Sequence, residues 1–212
     1  MKPWQKITTI AAIALLGLAG IPLVIQAKPA QEPEKAKTAV TRNPDWAVPM
    51  QAPGLSNLYK ISDNLYRCAQ PATDEGFKSM EKLGIKTVLN LRATHDDKTL
   101  AGGTALRLER VEIDTWNLSS DEVARALAIL AKPENGPFLI HCQHGADRTG
   151  LICAMHRIVN QGWTKEKAID ELKNGGYGFH AVWKNIPKFI EKVEVEKIKK
   201  KVAEKVAGDK QK

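Results

Sequence analysis

A strand, a glycine-bearing loop and a helix can be read directly from residues 137–162, and the polar residues at their junction leave few options for the fold around them. Pro137-Phe138-Leu139-Ile140 is an apolar run bounded upstream by Gly136, as a buried strand requires. Leu151, Ile152, Met155, Ile158 and Val159 recur at helical spacing from Thr149 until Gly162 stops the pattern. Between them lies His141-Cys142-Gln143-His144-Gly145-Ala146-Asp147-Arg148-Thr149-Gly150. A loop in that position opens onto a helix N-terminus, where free backbone N–H groups and the positive end of the dipole face any anion held there.

Each residue type in the loop has a chemical reason to be there. A thiol at a helix N-terminus beside cations ionises at about pH 3.5–7.5 instead of about 8.5, so Cys142 reads as a thiolate nucleophile. Arg148 offers a planar fork of donors that holds two phosphate oxygens at once, which lysine cannot do. Gly145 lets the backbone turn without a side chain obstructing the anion. Thr149 places a hydroxyl where it can steady the thiolate as a leaving group, and His141 is expected to fix the loop through a backbone carbonyl. Gln143, His144, Gly145, Ala146, Asp147 and Thr149 together form the expected substrate cradle. The plainer alternative makes Cys142 a small buried hydrophobe and Arg148 a surface charge. A metal reading of His141, Cys142 and His144 is weaker, because Arg148 and the helix-start amides favour an anion and no second ligand cluster is apparent. No metal or cofactor is expected.

The loop resembles the active-site signature of the cysteine-dependent tyrosine and dual-specificity phosphatases, in which His-Cys, five residues and Arg-Thr-Gly recur. Further segments share the likeness. Asn64-Leu65-Tyr66-Arg67-Cys68-Ala69-Gln70-Pro71 is similar to the opening segment of small bacterial and fungal dual-specificity phosphatases, and Gly84 to Arg92 to the first central strand of that fold. Thr149-Gly150-Leu151 and Ile158 to Trp163 resemble the helix after the loop in periplasmic bacterial tyrosine phosphatases of this group. The resemblance runs from about Thr41 to Phe179. It implies a phosphocysteine intermediate and an aspartate that first protonates the leaving oxygen and then activates water. Asp114 and Asp121 are the candidates. Asp114 follows an alternating run, Leu106 to Ile113, and would emerge at a strand end beside the cysteine strand. Asp121 has another use, since Ser119 with Glu122 makes a capping box and Asp121 complements the helix dipole. Asp114 is preferred.

The fold expected is α/β, a central mixed and largely parallel sheet flanked by helices. Strands are expected at 58–61, 65–68, 85–91, 106–113 and 138–142, and helices at 73–83, 120–131, 149–160 and from Thr164 to before Asn174. Residues 54–192 then form one phosphatase domain. Lys2 and Lys6 precede an apolar stretch, Ile7 to Ile25, so residues 1–27 read as a signal peptide or an uncleaved anchor. Residues 28–53, rich in Pro and Lys, read as a linker. The domain would face the periplasm or another extracytoplasmic space, with membrane association through the N-terminal segment. Residues 193–212 read as a Lys-rich helical tail, solvated by default despite Val193, Val195, Ile198, Val202 and Val206. The net charge of +8 favours anionic partners, here a phosphorylated protein and not a nucleic acid, with the chain a monomer.

Two further cysteines need a reading. Cys153 lies on the helix after the loop and reads as inert core. Cys68 stands where the family carries a small hydroxyl residue, which implies either a small buried residue or a reversible disulfide partner for Cys142. The loop interior holds no lysine, which argues against polyphosphate lipids as substrates, and Asp147 would repel extra charge if it pointed inward, a surface-facing position being the equal alternative.

Overall fold

The structure, a computed structural model, describes residues 42–209. The segment assigned to export and most of the linker lie outside the described residues. Among those described, no helix is long and apolar enough to cross a membrane.

In chain order the elements are β1 (Val48–Pro49), β2 (Tyr59–Ser62), β3 (Leu65–Ala69), α1 (Asp74–Lys82), β4 (Thr87–Asn90), α2 (Lys98–Ala101), β5 (Arg107–Arg110) and α3 (Ser120–Leu130). They continue with β6 (Phe138–Cys142), α4 (Asp147–Gln161), α5 (Lys165–Asn174), α6 (Asn185–Lys192) and α7 (Val195–Asp209). The six strands form one mixed sheet in the order β1-β2-β3-β6-β4-β5, as the α/β reading requires. The pairs β3–β6, β6–β4 and β4–β5 are parallel, while β1 and β2 add antiparallel ribbons at one edge. Four strands therefore end on the same side of the sheet, and residues just past Ala69, Asn90, Arg110 and Cys142 share one edge. In open sheets of this kind the crevice beyond the carboxyl ends is where ligands bind.

β6 is central and wholly buried, flanked by parallel neighbours on both sides. One face of the sheet packs against α3 and α4 through Leu89, Leu127, Phe138, Ile140, Leu151 and Met155. The other packs against α1 through Phe77 and Met80, with Val88 and Leu139 beneath them. Local chemistry sets the helix ends. The Ser119 hydroxyl accepts from the Asp121 N–H at 3.1 Å to open α3. Gly162, left-handed at φ 70°, closes α4. The Thr164 hydroxyl accepts from the Lys167 N–H at 3.2 Å to open α5.

Three expectations change. The regular strand β5 stops at Arg110, although the extended run continues to Ile113 through Val111 N–H to Asn90 O at 3.0 Å and Ile113 N–H to Leu91 O at 3.4 Å. The described end of the linker is part of the domain: β1 pairs with β2, the Ala47 N–H donates to Glu171 at 2.8 Å, and Arg42 donates to the Gly175 and Ala47 carbonyls at 2.6 Å. The solvated tail gives way to a docked helix. α7 lies along α3 with Ile198 buried and Val195 and Val202 against the core, while Lys205 and Lys201 approach Asp121 at 3.0 and 3.8 Å. The valines and Ile198 form one apolar stripe whose burial drives the docking, while Lys197, Lys199 and Lys200 stay exposed.

Truncating Ile198, which is 1% exposed, measures that docking. Ile198→Ala should lower the unfolding free energy by about 2–5 kcal/mol in urea titrations, as large-to-small core changes do. A change below about 0.5 kcal/mol, the usual surface value, would return α7 to solvent.

Candidate active site

Cys142 is the last residue of β6 and is buried. The chain then turns through Gln143 to Ala146 and enters α4 at Asp147, two residues earlier than the apolar periodicity indicates. Arg148 thus lies in the first turn and Thr149 behind it, so the loop wraps onto the positive end of a fifteen-residue helix.

The loop's shape is set from outside it. Gln143 O accepts from the Gln70 N–H at 3.2 Å, and His144 O accepts from Asn57 Nδ2 at 2.8 Å. Asn57, left-handed at φ 53°, also donates to Tyr177 O at 2.9 Å. Gly145 O accepts from the buried Arg67 guanidinium at 2.6 Å. Gly145 itself has φ 67°, and a Cβ there would run into the Cys68 carbonyl. Only glycine meets both demands.

His141 makes the expected contact with a backbone carbonyl, Nδ1 to Cys142 O at 3.3 Å, and a second that sequence reasoning missed, Nε2 to Asp97 Oδ2 at 2.9 Å. Asp97 is itself buried. The paired carboxylate fixes the imidazole's orientation and hence the strand end bearing Cys142. Asp97 precedes the short helix α2 in His95-Asp96-Asp97-Lys98, which reads as ordinary loop chemistry in the sequence. Asp147 neither faces inward freely nor lies on the surface. Its Oδ1 accepts from the His180 N–H at 2.9 Å and its Oδ2 meets His180 Nδ1 at 2.8 Å. The Thr149 hydroxyl is buried and has no hydrogen-bond partner.

Arg92 is the other residue the sequence did not single out. It stands two positions past β4, whose Asn90 is in register with His141, and so lies on the edge of the sheet that carries Cys142. Burial and then Arg148 beside it hold Arg92 below the usual arginine range, with Cys142 and Asp97 acting in the opposite sense. Arg110 grips the Arg92 and Ala93 carbonyls and holds the segment in place.

Of the two aspartates, Asp121 is held below the usual carboxylate range, chiefly by its hydrogen bond to Lys205, and belongs to the α3–α7 contact. Asp114 is exposed, and its Oδ1 accepts from the Trp116 N–H at 2.9 Å. It does not emerge beside the cysteine strand as expected, because β4 intervenes between β5 and β6. It stands instead on the same carboxyl edge, on an edge-strand loop pinned by Asn185 Nδ2 to Thr115 O at 2.6 Å. The adjacent Trp116, 76% exposed, packs edge-on against Trp183 at 4.6 Å.

Cys68 is in register with His141, and Ala69 with Cys142, so the two cysteines belong to opposite faces of the sheet and to different core clusters. Burial, followed by Cys142, pushes the Cys68 thiol far up. The small-buried-residue reading holds for Cys68. Cys153 is likewise buried, its thiol pushed up to about 11 by burial.

A buried parallel strand ending in cysteine, a loop wrapped onto a helix N-terminus and an arginine in that helix's first turn define a cysteine-dependent phosphatase type of phosphate site. The chain belongs to the dual-specificity phosphatase family. Residues 44–185 match the family model described as DSP-PTPase phosphatase fused to NAD+ kinase. The chain is 39% identical over 144 residues to the dual specificity protein phosphatase TpbA of Pseudomonas aeruginosa, a match covering 68% of this chain and 64% of that relative's length. A cysteine-to-serine form of P. aeruginosa TpbA, solved in complex with pTyr, superposes with a TM-score of 0.68 at 32% identity, covering 77% of this chain and 99% of that one. The core catalytic domain of the PP-IP phosphatase SIW14 of S. cerevisiae, solved with citrate, gives a TM-score of 0.60 at 26% identity, covering 71% of this chain and 93% of that one.

Two glycines test how the loop is held. Gly145 and Gly162 are both left-handed, but a Cβ meets nothing within 4 Å at Gly162. Gly162→Ala should cost about 1–2 kcal/mol, the left-handed penalty alone. Gly145→Ala should cost clearly more in the same denaturant titration, because the loop must also leave the Cys68 carbonyl. Equal costs would show that the close approach is not holding the loop.

Proposed function

We propose that this chain is an exported phosphomonoesterase acting on protein phosphotyrosine, and also on phosphoserine and phosphothreonine, through a phosphocysteine intermediate. The observation that carries the reading is Cys142 at the end of a buried central strand, with its loop folded onto the N-terminus of α4 and Arg148 in the first turn. The Cys142 thiolate attacks phosphorus while the Arg148 fork and the loop amides hold the equatorial oxygens, where charge is concentrated in the transition state. The ester oxygen leaves with a proton from Asp114, giving phosphocysteine. Asp114, now a carboxylate, takes a proton from water, which attacks phosphorus and expels the thiolate. The buried, unpartnered Thr149 hydroxyl is suited to receive that thiolate as a hydrogen-bond acceptor. No step calls for a metal ion. The exposed Trp116 and its partner Trp183 offer an aromatic wall on the loop that carries Asp114, which favours an aryl leaving group. Lys2 and Lys6 before the apolar run Ile7 to Ile25 support export.

A second reading, an inositol or small-molecule diphosphatase, draws on Arg92 beside Arg148, which adds a second cation for a second phosphate. The SIW14 likeness points the same way. Purified protein assayed with a chelator present against phosphotyrosine peptides, phosphoserine peptides and inositol pyrophosphates separates the two. Preference for the last would overturn the protein-phosphatase reading.

Cys142→Ser should abolish turnover of every substrate while vanadate still binds, and Arg148→Lys should fail as well, because one ammonium cannot replace the fork. Hydrolysis retained by Cys142→Ser would exclude covalent catalysis.

Asp114→Asn should lose about 10²–10⁴ in rate on phosphotyrosine. The loss should shrink on activated aryl phosphates, whose leaving oxygen needs little protonation. An equal loss on good and poor leaving groups would remove Asp114 from the acid role.

A further inference from the structure

His144, Asp147 and His180 present one ligand atom each, all within 4.8 Å of one another, at the rim of the phosphate loop. We propose that these three residues form a binding site for a divalent transition metal, Zn²⁺ foremost. Two imidazoles and a carboxylate are ligands that Zn²⁺ accepts at about 2.0–2.2 Å, with solvent taking the fourth tetrahedral position.

The three side chains are arranged as such a site needs. Asp147 is buried, whereas His144 and His180 are exposed, so the carboxylate forms the floor and the open side faces solvent. Asp147 Oδ1 accepts from the His180 N–H at 2.9 Å, an outer contact that orients the carboxylate and leaves Oδ2 for the metal. The two imidazole rings stand edge to face with centroids 5.2 Å apart. The backbone beneath His144 is held by Asn57, which also holds the Tyr177 carbonyl and so fixes the segment leading to His180.

The main competitor for the metal is the hydrogen bond between His180 Nδ1 and Asp147 Oδ2, now 2.8 Å long. Ligand atoms on a tetrahedral Zn²⁺ stand about 3.3 Å apart, so the pair must open by a few tenths of an ångström and any proton between them must leave. Metal binding therefore releases protons and weakens as pH falls. The loop alone could not reveal the site, because the third ligand comes from the segment after α5. Bound metal would tie the phosphate loop to that segment and place positive charge where Asp147 now contributes negative charge. It takes no part in the proposed hydrolysis, and the test is independent of whether the enzyme turns over.

The test uses the full chain carrying Cys142→Ser, so that the thiolate does not compete for metal. Isothermal titration with Zn²⁺ should show one site, and Zn²⁺ should raise the melting temperature by mass action. Long-range ¹⁵N spectra of the histidine rings should shift at His144 and His180 and stay fixed at His95, His141 and His156. Co²⁺ should give the visible bands of a four- or five-coordinate site. His144→Ala and His180→Ala, each added to the same background, should weaken Zn²⁺ by at least about tenfold, since loss of even an outer partner costs that much. Affinity unchanged in both variants, shifts at other histidines, or no saturable binding would overturn the site. The ring shifts are read with both histidines present, so the proposal remains testable if either variant fails to fold.

Discussion

Arg67 is a guanidinium placed 2% exposed beneath the phosphate loop, held there by the loop and by Tyr177. An unpaired charge at that depth would cost several kcal/mol. Here it donates to Gly145 O and lies 3.7 Å from the centroid of the Tyr177 ring. Tyr177 in turn donates to Glu171 at 2.8 Å, and Glu171 takes two hydrogen bonds from Arg157 on α4, at 2.8 and 2.9 Å. The Ala47 N–H ends on the same carboxylate. Two buried cations, Arg67 and Arg157, joined through Tyr177 and Glu171, thus link β3, the phosphate loop, α4, α5 and the chain before β1, so that the loop's shape becomes a property of the whole domain.

The electrostatics of the site follow from that frame. Arg148, Arg92 and the α4 N-terminus converge on the carboxyl edge of the sheet. Two of the nearby carboxylates are already engaged, Asp97 with His141 and Asp147 with His180. In the proposed reaction an incoming phosphate therefore meets cations and amides, with these two carboxylates turned to other partners. The preorganisation lies in hydrogen bonds made before any ligand arrives, which is where electrostatic stabilisation is most effective.

The sequence disclosed what depends on local pattern. β6, the loop and α4 were legible because an apolar run, a glycine and a helical periodicity stand next to one another. The largely parallel character of the sheet, though not its strand order, was legible from alternation of strand and helix. Long-range pairing hid the rest. Asp97, Arg92 and His180 are unremarkable in their own segments and acquire roles only when β4, α2 and the turn after α5 are brought to one edge. The α7 stripe was visible as valines among lysines, but whether it found a partner depended on how α3 is packed on the sheet, which no window of sequence contains. Asp114 was expected at a strand end beside the cysteine strand; it follows the extended run that continues past β5, with β4 between it and β6, because strand order in a sheet is not strand order in the chain.

The position of β6 at the centre of the sheet and of β5 at its edge separates two kinds of inheritance. A change near Cys142 must suit strands on both sides, a helix below and Arg67 beneath, so drift there is penalised many times over. The loop carrying Asp114 and Trp116 hangs from an edge strand and answers mainly to Asn185 and Trp183. Insertions, shortened turns or a new aromatic can accumulate there without disturbing the strand that holds the thiol. A lineage built on this plan can change what it accepts, and the acid that assists departure, far more readily than the nucleophile that attacks.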